Sequence, residues 1–228
     1  MASLELPIFP LGVVLFPGTP QLLHIFEPRY RQMLADCLES GRPFGLSYVK
    51  GGEVEDPAPP PGAVGCSAVV RQSRLLPDGR SNVVAEGEQR YVLREYLDTD
   101  LPYRVARVEP FDDDDDTDSP QSVEAASELR TQFARFAAGM ETLNDRTSDQ
   151  PSLSRDPKQL SFQVSAALEV DAEVKVELLG LRSTLQRLFH LNRILRPLNE
   201  ELVRRVEVHV RARTNGRGGA TRDVVRGQ

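Results

Sequence analysis

LPIFPLGVVLFPG, residues Leu6 to Gly18, followed by LLHIFEPRYRQML, residues Leu22 to Leu34, reads as strand, proline turn, strand and then helix. Apolar runs cut by Pro7, Pro10 and Pro17 cannot sustain a helix, because proline lacks the amide proton that a helix interior needs. Strands are therefore expected over Leu4 to Phe9, Gly12 to Phe16 and Gln21 to Phe26, with Pro17-Gly18 shaping a turn. Strand alternation assigns Leu11, Val13, Leu15, Phe16, Leu23, Ile25 and Phe26 to the core. At Pro28 the period changes: Tyr30, Met33, Leu34, Cys37 and Leu38 recur at three- and four-residue spacing. Pro28 suits a first helical turn, Glu27 places negative charge at the helix start, and Gly41 offers the stop.

The same strand-rich texture continues to Phe111, with further strands expected over Phe44 to Val49, Val64 to Leu76, Asn82 to Ala85, Gln89 to Leu97 and Tyr103 to Val108. PDGR, between Leu76 and Ser81, carries the Asp-Gly pair that permits positive φ in a tight reversal, so Val69 to Leu76 and Asn82 to Glu86 are expected to form a hairpin. KGGEVEDPAPPPG, Lys50 to Gly62, reads as a mobile surface loop. Residues 1–111 thus form a β-rich subdomain, and 112–120, with the run Asp112 to Asp118, an acidic linker, solvated and extended by self-repulsion. A helical subdomain follows over 121–203. Its helices are Val123 to Glu141, one opened by Asp156-Pro157 and running to about Leu168, a short one capped by Asp171 and ending near Gly180, and Leu181 to Leu195, which Pro197 should end or kink. Val206, Val208 and Val210 alternate with polar residues, which allows a strand or a frayed helix. Residues 204–228 read as a basic flexible tail, without fixed structure after Arg213. The fold class is α+β.

The 228 residues are 39% hydrophobic and 27% charged, with 17 prolines, 16 glycines and a formal net charge of −6. That composition excludes global disorder and by itself indicates no nucleic-acid partner. The apolar N-terminal run is broken by Glu5, Pro7 and Pro10 and has no basic residue before Arg29, so it is no signal peptide; no run is long enough for a membrane span. A cytoplasmic location is expected, and Cys37 and Cys66, without paired spacing, fit a reducing compartment. No phosphate-binding GxxxxGK[ST] loop, HExxH or GxSxG motif occurs, and His24, His190 and His209 are scattered. The acidic run lacks the glycine and alternate spacing of a calcium loop. No catalytic residue, cofactor or metal is therefore expected, and the chain reads as a binding protein rather than an enzyme. Lys50, Lys158 and Lys175 are the only lysines among 28 basic residues, an arginine bias that fits a GC-rich bacterial genome.

Three blocks carry a resemblance. The opening PL…VLFPG with IFEPRY, then DGRSNVVAEGEQRYVL over Asp78 to Leu93 with its Gly87-x-x-Arg90-Tyr91, then PYRVARVEP over Pro102 to Pro110, resemble the N-terminal substrate-binding domain of Lon proteases in order and spacing. LSFQVSAALEVDAEVKVELLGLRSTLQRL, Leu160 to Leu188, is similar to the helical part of the same region, so the likeness covers roughly residues 4 to 196. The resemblance implies a PUA-like, partly open β-barrel with one inserted helix, followed by a C-terminal helical bundle. It also implies binding of unfolded or exposed polypeptide, as an adaptor or holdase serving a separate protease or chaperone. A full Lon protease continues into an ATPase and a serine-lysine peptidase, and the chain looks like a freestanding Lon domain.

Within the likeness, Arg29, Tyr30, Arg31, Gln32 and Met33 at the start of the first helix are the candidate polypeptide-binding residues. Tyr30 suits either core or contact surface, Arg31 and Gln32 read as surface, and Arg29 is expected to pair with a nearby acid. Glu86, Gly87 and Arg90 read as a structural turn with a buried charge partner. Two other classes compete. The PUA-like barrel and the tail arginines would suit RNA, although no aromatics interleave with them, and the helical subdomain would suit self-association.

Overall fold

The computed structural model describes residues 3–51, 58–144 and 152–216. Its elements run β1 (Leu4–Leu11), β2 (Pro20–Ile25), α1 (Pro28–Ser40), β3 (Phe44–Tyr48), β4 (Val64–Leu75), β5 (Ser81–Leu97), β6 (Val105–Pro110), α2 (Pro120–Asn144), α3 (Pro157–Ala167), α4 (Ala172–Gly180) and α5 (Thr184–Gly216). The strands form one mixed sheet in the order β2-β5-β4-β3-β1-β6, and a further β5–β6 pairing bends β5 through β6 into a ring. β5 can hold both neighbours because it is 17 residues long: Ser81 to Glu86 pair with β2, and Tyr91 to Leu97 pair with β6. β2 therefore hangs on the rim of the ring, bonded among the described residues on one side only. α1 packs Tyr30, Met33, Leu34 and Cys37 against Phe9, Phe44, Leu46 and Val83 inside it.

Asn82 to Glu86 and Gln89 to Leu97 are one continuous strand, with no turn at Glu86-Gly87. Gly87 does not break the strand. It is the point where the Gly18 turn docks, with Gly18 N donating to Gly87 O and Gly87 N to Thr19 O. A β-carbon at Gly87 would collide with the carbonyl oxygen of Phe16, so only glycine admits this approach. Gly12 to Phe16 is in turn not a strand. Val14, Leu15 and Phe16 are all buried in succession. The segment threads between two cores, Leu15 entering the barrel while Val14 and Phe16 enter the helical core beside Leu129 and Phe162. Val13 and Phe26, assigned to the core from their spacing, are 38% and 58% exposed. The hairpin stands as expected, with Leu75 opposite Ser81 and Gly79 at φ 82° in its turn, and α1 ends at Gly41 in the left-handed conformation.

The helical half departs from expectation in its last helix. α5 does not end at Pro197 but continues to Gly216, taking in Thr214 to Gly216 and the valine alternation. Proline removes one intrahelical hydrogen bond, yet Leu191, Leu195 and Leu202 are buried on either side of it and Asn199 donates to the Gln132 carbonyl of α2, so packing holds the helix through the defect. Residues 217–228 of the expected tail lie outside the described residues. So do 52–57 of the proline-rich loop, whose far end is fixed by Gly62 N to Leu93 O and by Tyr96 Oη to Pro59 O.

The acidic run is not a solvated spacer. The Asp113 side chain, 5% exposed, accepts from Arg90 of β5 at 2.5 Å and from Arg187 of α5 at 2.5 Å. Both guanidinium groups are otherwise satisfied within the protein: Arg90 donates to the Leu179 and Leu181 carbonyls, and Arg187 to Leu181 O and Ser161 Oγ, with Phe162 beneath the Arg187 plane. Burial alone would raise the Asp113 carboxyl, but the two guanidiniums hold it below the usual carboxylate range. Burial lowers Arg90 to about 10, which leaves it charged at neutral pH. Asp116 caps α5 from outside, accepting from Thr184 N, Leu185 N and Ser183 Oγ. Arg90 thus has the buried charge partner expected of it, supplied by the run read as free.

Candidate polypeptide-binding face

α1 follows the point where Ile25, the last residue of β2, pairs with Ser81 beside the hairpin turn, so the helix start, β2 and the hairpin arms share one end of the sheet. Of the five candidate residues, the structure separates two from three. Tyr30 and Met33 are 5% and 0% exposed and belong to the barrel core, Tyr30 lying 4.5 Å centroid to centroid from Phe9. They support the helix and have no surface to offer. Arg29 is half-buried, pairs with Glu27 at 2.9 Å and lies over the Tyr30 ring. Arg31 and Gln32 are exposed, and Gln32 donates to Asp36 one turn on.

Arg31 lines a groove of about 500 Å³ between α1 and the hairpin, together with Ala35, Leu38, Leu75, Gly79 and Ser81. A side chain at Gly79 would occupy the place of the Arg31 guanidinium, so the turn glycine gives the arginine its seat. Among the described residues Arg31 makes no ion pair. Leu38 on α1 at 49% exposure and Leu75 on β4 at 73% line this groove, and the fold also leaves in solvent Leu22 on β2 at 77%, on the opposite face of the sheet, and Phe26 just after β2 at 58%. Phe26 stacks on His24, and His24 Nδ1 lies 2.7 Å from Asn82 Oδ1 across the β2–β5 ladder. Sequence reading missed Leu22 and Leu75 and placed Phe26 and Leu38 on apolar faces. The available signal was their excess: β2 buries only alternate residues, yet Leu22 falls on its outer phase.

A larger groove, about 990 Å³, follows the α2–α5 contact, where Arg196 and Glu128 pair across it at 3.1 Å and tie the two helices together. Neither cysteine sits in a reactive setting: burial pushes the Cys37 thiol up to about 11 and Cys66 up to about 12. Among the described residues no three His, Cys, Asp or Glu side chains gather as metal ligands, and no helix is long and apolar enough to cross a membrane.

Comparison with known proteins adds the family. Lon protease 1 of Thermus thermophilus is 31% identical over 205 residues, covering 88% of this chain and 25% of that protein. Lon protease of Heliobacterium modesticaldum is 26% identical over 211 residues, 91% of this chain and 26% of the relative. The chain spans about a quarter of the length of these relatives. Among solved structures, a Lon N-terminal domain protein from Xanthomonas campestris superposes with a TM-score of 0.61 at 23% identity, covering 82% of this chain and 96% of that one. The N-terminal domain of the Mycobacterium avium complex Lon protease gives 0.58 at 18% identity, over 86% and 98%. Both share the fold, ring and helices together. Residues 5–196 match the profile described as the ATP-dependent protease La (LON) substrate-binding domain, which takes in every strand and the helical part as far as Arg196, and the chain belongs to that family.

Proposed function

We propose that this chain binds unfolded or exposed polypeptide segments without any covalent step, as an adaptor or holdase for a separate protease or chaperone, and that it does so on the α1 side of the barrel. The observation that carries this reading is the pair of large apolar side chains left in water in the Arg31 groove, Leu38 and Leu75, with Leu22 and Phe26 exposed at and just after the neighbouring edge strand β2. Exposed apolar clusters of this kind on a soluble fold mark interaction sites. Membership of a family described as substrate-binding supports it. Arg31 and Gln32 serve as contact residues, Arg29 flanks them, and Tyr30 and Met33 hold the helix that presents them.

The test is fluorescence anisotropy of a labelled, reduced and carboxymethylated polypeptide titrated with the protein at low and at moderate salt. Binding that persists at moderate salt and weakens severalfold in a Leu38→Ser, Leu75→Ser variant supports the reading. Binding of a structured RNA alone, lost as salt rises, would replace it with the nucleic-acid alternative.

A further inference from the structure

The hydrogen-bond phase of β2 is fixed twice over. At one end Gly87 N donates to Thr19 O, which makes Thr19–Gly87 a bonded pair, and the pairs alternate from there: Gln21–Ala85, Leu23–Val83 and Ile25–Ser81 exchange hydrogen bonds, while Leu22–Val84 and His24–Asn82 do not. At the other end Leu76 N donates to Arg80 O, so in the hairpin Arg74–Asn82 and Gln72–Val84 are the bonded pairs. Val84 and Asn82 thus spend their amides and carbonyls on β4, which leaves Leu22 and His24 with theirs aimed away from β5. The one hydrogen bond seen on that outer side agrees: the Gln21 side-chain amide donates to the Leu22 carbonyl at 3.1 Å. Among the described residues no strand pairs with this edge.

We infer that the outer edge of β2 takes an extended polypeptide segment as an added strand, its backbone pairing with Leu22 and His24. The inference rests on the polypeptide-binding reading above and gives it a mode. Only an extended backbone offers donors and acceptors at the spacing of this edge, and main-chain pairing tolerates many sequences. Side chains narrow the choice. An incoming residue opposite Leu22 meets an apolar side chain, and one opposite His24 meets an imidazole whose Nε2 lies 3.5 Å from the guanidinium of Arg80, itself paired with Asp78. The preferred segment alternates apolar residues and carries an acidic side chain two positions from the residue beside Leu22.

The probe is a fluorescein-labelled synthetic peptide of alternating valine and threonine with one aspartate, titrated against the full chain. Leu22→Ala keeps the outward amide and removes the side chain; Leu22→Pro removes the outward amide as well and spares the β2–β5 ladder, since proline is tolerated where an edge amide faces solvent. Strand addition predicts affinity lowered about tenfold or more in Leu22→Pro relative to Leu22→Ala, because a hydrogen bond is lost and the ring blocks the approach. Amide hydrogen exchange on the unmutated protein gives a readout free of folding effects: the Leu22 and His24 amides slow when peptide is added. Peptide binding with no slowing at these amides, and equal affinities in the two variants, overturns strand addition and leaves polypeptide binding standing. No binding of this peptide or of the carboxymethylated polypeptide overturns both.

Discussion

Asp113 accepts from two arginines that belong to different halves of the molecule, and its removal leaves both guanidiniums buried without a counter-charge. Asp113→Asn is expected to cost about 3–5 kcal/mol in chemical denaturation, far more than loss of an exposed ion pair. The sign of the pH dependence follows from the same contact. The carboxyl titrates lower in the folded protein than in the unfolded chain, so its contribution is complete above roughly pH 4 and disappears as pH falls through the lowered folded value. Unfolding free energy should therefore fall with acid more steeply in the unmutated protein than in Asp113→Asn; parallel curves would show that the clasp is not the titrating contact. Gly87→Ala drives a β-carbon into the Phe16 carbonyl, where backbone must move, and is expected to cost about 1–3 kcal/mol by the same assay.

Helix α5 carries a proline that neighbouring packing overrides. Pro197→Ala restores the missing amide and should raise stability by up to about 3 kcal/mol, seen as a higher denaturation midpoint. Unchanged or lower stability would mean that the α2 contact is shaped around the proline. Period, caps and turn chemistry are local, so Pro28 to Gly41, the Asp-Gly hairpin and the Asp156 cap, whose side chain accepts from Gln159 N, were legible in the chain. The course of α5 past Pro197, the continuity of β5 through Gly87 and the burial of Asp113 depend on partners tens of residues away. A run of five aspartates gives no local sign that one of them sits between two arginines. For the candidate face, Arg31 and Gln32 were readable as surface, but Tyr30 and Met33 share the helix period with true core residues, and the outward phase of Leu22 depends on which strand β5 bonds next.

At the scale of the molecule, barrel and helices are joined by more than a covalent link. Val14 and Phe16 leave the strand side to sit in the helical core, and the Arg90–Asp113–Arg187 clasp closes beside them. The two halves should therefore unfold together. Near-ultraviolet signals from buried Tyr91 and Tyr103 of the barrel and the far-ultraviolet helical signal should share one midpoint in denaturant; two midpoints would mean that the halves are independent. The ring, however, has a seam. Leu4 pairs with Val108 and Pro7 with Val105, so the first residues of β1 lie beside the last of β6. Tension applied between the segment before Leu4 and the segment after Pro110 would load those hydrogen bonds one after another, as a zipper opens, and never all at once in shear. A motor pulling on this chain from both sides would find the barrel mechanically weak in the one direction that separates β1 from β6, however stable it is to heat or denaturant.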